Sequence, residues 1–206
     1  MSISQDVIER AVAENADAIL VHHGMFWKNE EAALRGYRKE RVKLILRHDL
    51  NLIAYHLPLD LHPEIGHNFL ILKGIGAGVE PPEEGSYGRL GSFHPPLGFG
   101  ELVERVNSAL HTEARYFHHG GDSIETVYVV SGAGRNEIDM VCELGVDAYI
   151  TGDAKESTPY ISRESGMNYI FAGHYNTERL GIIELSKIIA DRFDVDTRFI
   201  DVENTL

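Results

Sequence analysis

What most constrains the fold is an alternation of two periodicities along the chain. Eight short runs are rich in β-branched and aromatic residues: "DAILVHH" (17–23), "NLIAYHL" (51–57), "YGRLGSF" (87–93), "ARYFHH" (114–119), "TVYVVSG" (126–132), "DAYITGD" (147–153), "NYIFAGH" (168–174) and "TRFIDV" (197–202). Helical patterns lie between them. In "DVIERAVAENA", Val7, Ile8, Ala11 and Val12 share one face, and "FGELVERVNSALH" repeats Leu102, Val103, Val106 and Leu110 at helical spacing. "EIDMVCELG" ends in Gly145, suited to a helix C-terminus. "TERLGIIELSKIIADRF" is the longest, with Leu180, Ile183, Ile188 and Ile189 along it. Strands alternating with helices predict an α/β fold, with mixed sheets flanked by helices.

The stretch "KGIGAGVEPPEEGSYG" (73–88), rich in Gly, Pro and Glu, marks a boundary. It predicts a lobe over 1–84 and a second α/β lobe over 85–206. The chain opens on a helix leading into "DAILVHHG", so that strand is expected to have no earlier strand to pair with in this sequence.

Composition removes several function classes. The net charge of −13 argues against generic binding to nucleic acid or acidic membranes. No apolar run approaches the ~20 residues that span a bilayer. The opening "MSISQDVIERAVAENADAI" carries acids, unlike a signal or transit peptide, so a cytoplasmic location is expected. A single cysteine, Cys142, rules out an internal disulfide and a cysteine-based zinc knuckle; its place on an apolar helical face suits packing.

Three strand ends carry chemistry. "VHHGMFW" presents His22 and His23 side by side, where a turning backbone lets adjacent imidazoles converge on two nearby points. "YHLPLDLH" offers His56, Asp60 and His62, and Pro58 makes it an extended or turning loop. "FAGHYNTERLG" offers His174 and Glu178, with Asn176 or Thr177 as a natural N-cap. Each has a plainer reading: a solvated His pair, Asp60 capping a helix begun near Pro63, Glu178 complementing a helix N-terminus. Together they point to metal. Ligand sites of open α/β sheets gather at the carboxyl ends of strands, and imidazole and carboxylate donors suit divalent ions without thiolates. Two ions ~3.5–4 Å apart drive hydrolytic chemistry.

Four further features have structural readings as the stronger ones. "VVSGAGRNE" either cradles phosphate or, better supported, forms a glycine-rich strand-to-helix turn; no P-loop pattern is present. "TGDAKE" places Asp153 at an N-cap with Glu156 completing a capping box, against a catalytic alternative for the carboxylate. His118 and His119 read as rim residues able to touch a substrate. Trp27 reads as a packing or interface residue.

"ILVHHGMFWK", "YHLPLDLHPEIGHN", "GVDAYITGD" and "AGHYNTERLGI" together resemble the GTP cyclohydrolase I type 2 homologue family, also called Ngg-interacting-factor-like or dinuclear metal centre proteins. The resemblance runs across nearly the whole chain, except that members usually carry a further N-terminal strand and helix. It implies an α/β fold in two interlinked lobes and a homohexameric ring with a dinuclear metal site at strand ends. The ligands it implies match His22, His23, Asp60, His174 and Glu178, with Glu178 bridging; the C-terminal part of the second lobe thus returns ligands to the site. His56 matches a position beside the metals. Two divalent ions per subunit, Zn, Fe, Mn or Co, are the expected cofactors. The expected activity is a metal-dependent hydrolase, GTP cyclohydrolase-like or a nucleotide phosphoesterase, on a nucleotide or related small molecule; no residue is singled out as catalytic. The alternative from another class is a non-catalytic metal carrier or regulatory scaffold.

Overall fold

A helix, α1 (Gln5–Ala13), leads through a short turn to β1 (Ala18–Val21), then to α2 (Gly36–Arg47) and β2 (Asn51–Ala54). The computed structural model describes residues 1–28, 31–82, 85–202 and 204. Two compact units divide them: Met1–Leu59 with Ile182–Asn204, and Asp60–Gly181. The second is an insertion in the first along the chain.

In the first unit Ser4 caps α1, accepting from the Val7 N–H at 3.2 Å, and the helix buries Ile8 and Ala11. Strands β1 and β2 pair in parallel, Ala18 beside Asn51 and Val21 beside Ala54. A two-stranded sheet is marginal alone; here it shares a core of Ile8, Ala11, Ile19, Val21, Ile45 and Leu50 with the two helices. Parallel pairing in register brings the carboxyl ends of both strands to one edge. There, Tyr55 N–H donates to the Val21 carbonyl at 3.0 Å.

Among the described residues no strand precedes β1, as expected; an isolated parallel bridge joins Ser2 to His23 just beyond it, and the Met1 carbonyl accepts from the His22 and His23 N–H groups at 2.9 and 3.0 Å. One expectation is corrected in this unit: "TRFIDV" is not a strand. Its alternating pattern packs Ile200 against the core while Arg198 pairs with Glu14, and Arg10 donates to the Asp201 carbonyl at 2.9 Å. Side chains, rather than a backbone ladder, hold it.

A single turn, α3 (Leu57–Asp60), takes the place of the expected loop. Pro58 is tolerated in a first turn, where its missing N–H has no helical partner to lose. The second unit continues with α4 (His67–Gly74), β3 (Gly78–Val79), β4 (Arg89–Gly98), α5 (Phe99–Leu110), β5 (Arg115–Phe117), β6 (Ser123–Val130), α6 (Ile138–Leu144), β7 (Ala148–Thr151), α7 (Thr158–Ser165), β8 (Asn168–Phe171) and α8 (His174–Glu178). The last helix, α9 (Leu180–Phe193), carries the chain out of this unit. The glycine- and proline-rich stretch near residue 84 joins β3 to β4 inside the second unit; Glu83 and Glu84 themselves lie outside the described residues.

The six strands run in the order β3-β4-β6-β7-β8-β5, with β6, β7 and β8 parallel. Their apolar runs are nearly continuous because both faces are covered. Val127, Val129, Ala148, Ile150 and Ile170 point to one core, shared with Leu72 of α4 and with Leu102, Val106 and Leu110 of α5. The alternate residues Tyr128, Tyr149 and Tyr169, neighbours in register, face another core with Ile138 and Val141 of α6. Each fully buried aliphatic side chain contributes about 1.5–3 kcal/mol. Gly145 ends α6 in the left-handed conformation, φ 67°, as its position in the sequence predicts. Cys142 packs beside the tyrosine face as a free thiol.

Candidate functional site

In the first unit the shared edge of β1 and β2 assembles three imidazoles. His22 and His23 follow β1 and His56 follows β2, with ring centroids 4.7 Å apart for His22 and His23, and 4.9 and 5.0 Å from each of these to His56. One donor atom from each lies within 4.8 Å of the others. Backbone and hydroxyl groups set the orientation of the first two rings. His22 Nδ1 is 2.8 Å from the Tyr55 carbonyl oxygen, an acceptor, so Nδ1 bears a proton and the neutral ring has its lone pair on Nε2. His23 Nδ1 is 2.9 Å from Ser2 Oγ. Engaging Nδ1 in this way is the usual means of presenting Nε2 to a metal. Trp27 packs edge-on to His56 at 5.0 Å and lies 5.6 Å from His23, while Phe26 is 70% exposed beside it.

In the second unit the donors are held by glycine turns at the carboxyl ends of the parallel strands. Beyond β6, β7 and β8 the chain turns at Gly132, Gly152 and Gly173. The turns stay bonded to one another: Gly152 N–H donates to the Gly132 carbonyl at 3.1 Å and Gly173 N–H to the Gly152 carbonyl at 2.9 Å. Gly132 N–H then donates to Thr177 Oγ1 at 2.9 Å, fastening α8 to the β6 turn. Thr177 is therefore inside the helix, not its cap, and the N-cap residue is Gly173. One turn apart on α8, His174 Nε2 and Glu178 Oε2 stand 3.0 Å apart. Gly132, at φ +61°, is required here: a Cβ would lie 1.9 Å from Glu178 Oε1 and 3.1 Å from His174 Nε2. The carboxylate fills the space that any larger residue would occupy.

Asp60 ends α3 and is only slightly exposed; its Oδ1 is 3.8 Å from Nε2 of the buried His67. It caps no helix, because α4 begins at His67 behind Gly66. Asn68 ties that helix start to the β6 turn, accepting from Ser131 N–H at 2.8 Å and donating to the Tyr87 carbonyl at 2.7 Å. His62 closes its own turn, its Nδ1 facing the N–H groups of Glu64 and Ile65, both at 3.2 Å.

The expected capping box in "TGDAKE" is absent: α7 starts at Thr158 after Ser157, and Glu156 is exposed. Tyr169 donates to the Asp153 carbonyl at 2.7 Å and Arg135 pairs with its carboxylate, turning Asp153 toward the strand-end turns, with Oδ2 3.9 Å from His174 Nδ1. The glycine turn of "VVSGAGRNE" is a strand-to-helix connection whose Gly132 N–H and Gly134 carbonyl are both used internally, the latter by the Tyr149 hydroxyl at 2.6 Å. Burial raises the Tyr149 and Tyr169 hydroxyl pKa values well above the ordinary tyrosine value, so both stay protonated as donors. His118 pairs with Asp122 at 3.2 Å and stacks on Phe99, while His119 meets Ser162 Oγ at 3.0 Å. His67, Arg135 and Asp153's pairing were not legible as site features in the sequence; only their nearness to candidate donors pointed that way.

The fold and these donor sets define an α/β protein whose strand-end turns present imidazoles and carboxylates suited to divalent ions. The chain belongs to the Duf34/NIF3 (NGG1p interacting factor 3) family, whose model matches residues 1–205. It is 42% identical over 208 residues to a GTP cyclohydrolase 1 type 2 homolog of Yersinia pestis, covering 99% of this chain and 83% of the relative. A protein of the same description from Vibrio cholerae is 39% identical over 209 residues, with coverages of 99% and 83%. A solved structure described as protein ybgI, unknown function, superposes with a TM-score of 0.93 at 37% identity, covering 98% of this chain and 82% of that one. Among the described residues no helix is long and apolar enough to cross a membrane.

Proposed function

We propose that this chain is a divalent-metal-dependent hydrolase acting on a nucleotide or related small molecule, with His22, His23, Asp60, His174 and Glu178 holding two ions. The observation that carries this reading is the orientation of His22: Nδ1–H is spent on the Tyr55 carbonyl, so a buried Nε2 lone pair is presented among two further imidazoles. The space left by Gly132 for the Glu178 carboxylate is a second fit, in the other donor set. Divalent ions held by these residues would supply Lewis acidity and lower the pKa of water toward ~7. The protein's own part is to fix the donors in place: the Tyr55 carbonyl and Ser2 orient the two rings, and the Gly132 turn and Thr177 hold Glu178. The name carried by the relatives supports a nucleotide substrate. Exposed Phe26 and Trp27 beside the histidines support burial in a homo-oligomer, a hexamer by the family resemblance.

The test is elemental analysis of chain purified without chelator, joined to a nucleotide panel followed by chromatography. About two ions per chain and a product lost on chelation are expected. No ion bound, and none taken up from Mn, Fe, Co or Zn, would refute the reading. Bound and exchangeable metal without turnover of any nucleotide would favour a carrier.

A further inference from the structure

We infer that His67 is a positioning residue for Asp60 and not itself a metal ligand, an inference that rests on the proposed role of Asp60. His67 opens α4, is fully buried, and stands 3.8 Å from the Asp60 carboxylate through Nε2. By residue type and place it would pass for a sixth donor.

Its other nitrogen decides the matter. His67 Nδ1 accepts a hydrogen bond from the Gly181 backbone N–H at 3.0 Å. A backbone N–H can only donate, so Nδ1 must carry a lone pair, and the neutral ring then bears its proton on Nε2. The doubly protonated ring is excluded by the same contact, since it has no acceptor. An ion on Nε2 would need the opposite tautomer, which sets Nδ1–H against Gly181 N–H. His67 therefore turns an N–H toward Asp60 Oδ1 at 3.8 Å, an electrostatic contact longer than a hydrogen bond. Groups of this kind behind a ligating carboxylate bias the orientation of its oxygens.

The surroundings are built to keep the ring there. A Cβ on Gly181 would lie 2.7 Å from His67 Cε1 and 2.9 Å from Nδ1, so a side chain at that position would evict the imidazole. Next along α4, Asn68 is clamped to Ser131 and Tyr87, which fixes the backbone under His67.

The experiment uses the full chain as wild type, His67→Phe, His67→Gln and Gly181→Ala. Chelator-treated protein carrying ¹⁵N-labelled histidine is examined by NMR, the His67 signals being those lost in His67→Gln. Each protein is then titrated with cobalt(II), with stoichiometry, chelator-competition affinity and the visible spectrum recorded. The Nε2–H tautomer is expected in the metal-free wild type. His67→Phe and Gly181→Ala should keep the wild-type stoichiometry while one cobalt binds roughly 10–100-fold more weakly. Its visible bands should shift, and His67→Gln, which retains an N–H donor, should restore most of the loss. A Nδ1–H tautomer overturns the inference without any reference to metal. So does loss of one whole ion in His67→Phe, which would make the residue a ligand, or an unchanged affinity in that variant. Wild type that binds no cobalt overturns this inference and the proposed function together, whereas the other adverse results leave the proposed function standing.

Discussion

Replacing Gly132 by alanine separates the two demands this residue meets. Its φ of +61° is costly for any residue with a Cβ, by about 1 kcal/mol. Its Cβ would also fall 1.9 Å from Glu178 Oε1 and 2.7 Å from Cδ, well inside the 3.0 Å below which such contacts essentially never occur. The carboxylate must leave, so the Gly132→Ala chain is expected to lose about 1–3 kcal/mol of stability and to bind metal at least 10–100-fold more weakly. Gly145→Ala is the matched control, having φ +67° but nothing within 4 Å of the added carbon. It should lower Tm by roughly 2–4 °C, the equivalent of about 1 kcal/mol in a chain of this size, and leave metal binding untouched. Thermal melts of the metal-free proteins give the first quantity, and competition against a coloured chelator the second. If Gly132→Ala binds metal like wild type while melting like Gly145→Ala, then Glu178 is not a ligand confined by that turn.

Glu178→Gln is expected to reduce bound metal more than His56→Gln, because a bridging carboxylate offsets the repulsion between two ions, whereas His56 is one of three neighbouring imidazoles; equal metal content in the two purified variants would remove the bridging role. At alkaline pH the buried tyrosines become a liability. The folded pKa values of Tyr149 and Tyr169 lie above the unfolded value near 10, so their contribution is complete below pH ~10 and is lost as the pH rises toward the folded values. Denaturant unfolding should therefore show stability falling above pH 10 by about 1.4 kcal/mol per pH unit for each tyrosine still protonated in the fold. Tyr149→Phe should flatten that slope, and an unchanged slope would count against the burial argument.

The strands that line the second unit were readable because their apolar runs are covered on both faces, and seven of the eight predicted runs contain observed strands. "TRFIDV" misled because alternation reports which side chains are buried, not whether the backbone finds a partner; Ile200 is packed without a ladder. Helix α2 left little trace, since Ile45 is the one buried residue along it while Leu46 lies largely exposed. At the candidate site, His22, His23, His174 and Glu178 were legible as strand-end clusters. What orients these donors and their neighbour His67 was not: the Tyr55 carbonyl, the Gly132 turn and the Gly181 N–H are backbone groups brought close only by the tertiary fold. A pattern search also cannot separate His67, a donor of N–H, from its neighbours that offer lone pairs. That distinction lives in a single hydrogen bond.

The turns that carry Gly132 and Asp153 are fastened from below, by the Tyr149 hydroxyl on Gly134 and the Tyr169 hydroxyl on Asp153. Both fastenings are made by the sheet's own side chains. In small zinc-folded domains the cation is part of the folding reaction, and stripping it melts the chain. Here the turns hang from the tyrosine core instead, so removing whatever these residues bind is expected to leave the second unit folded.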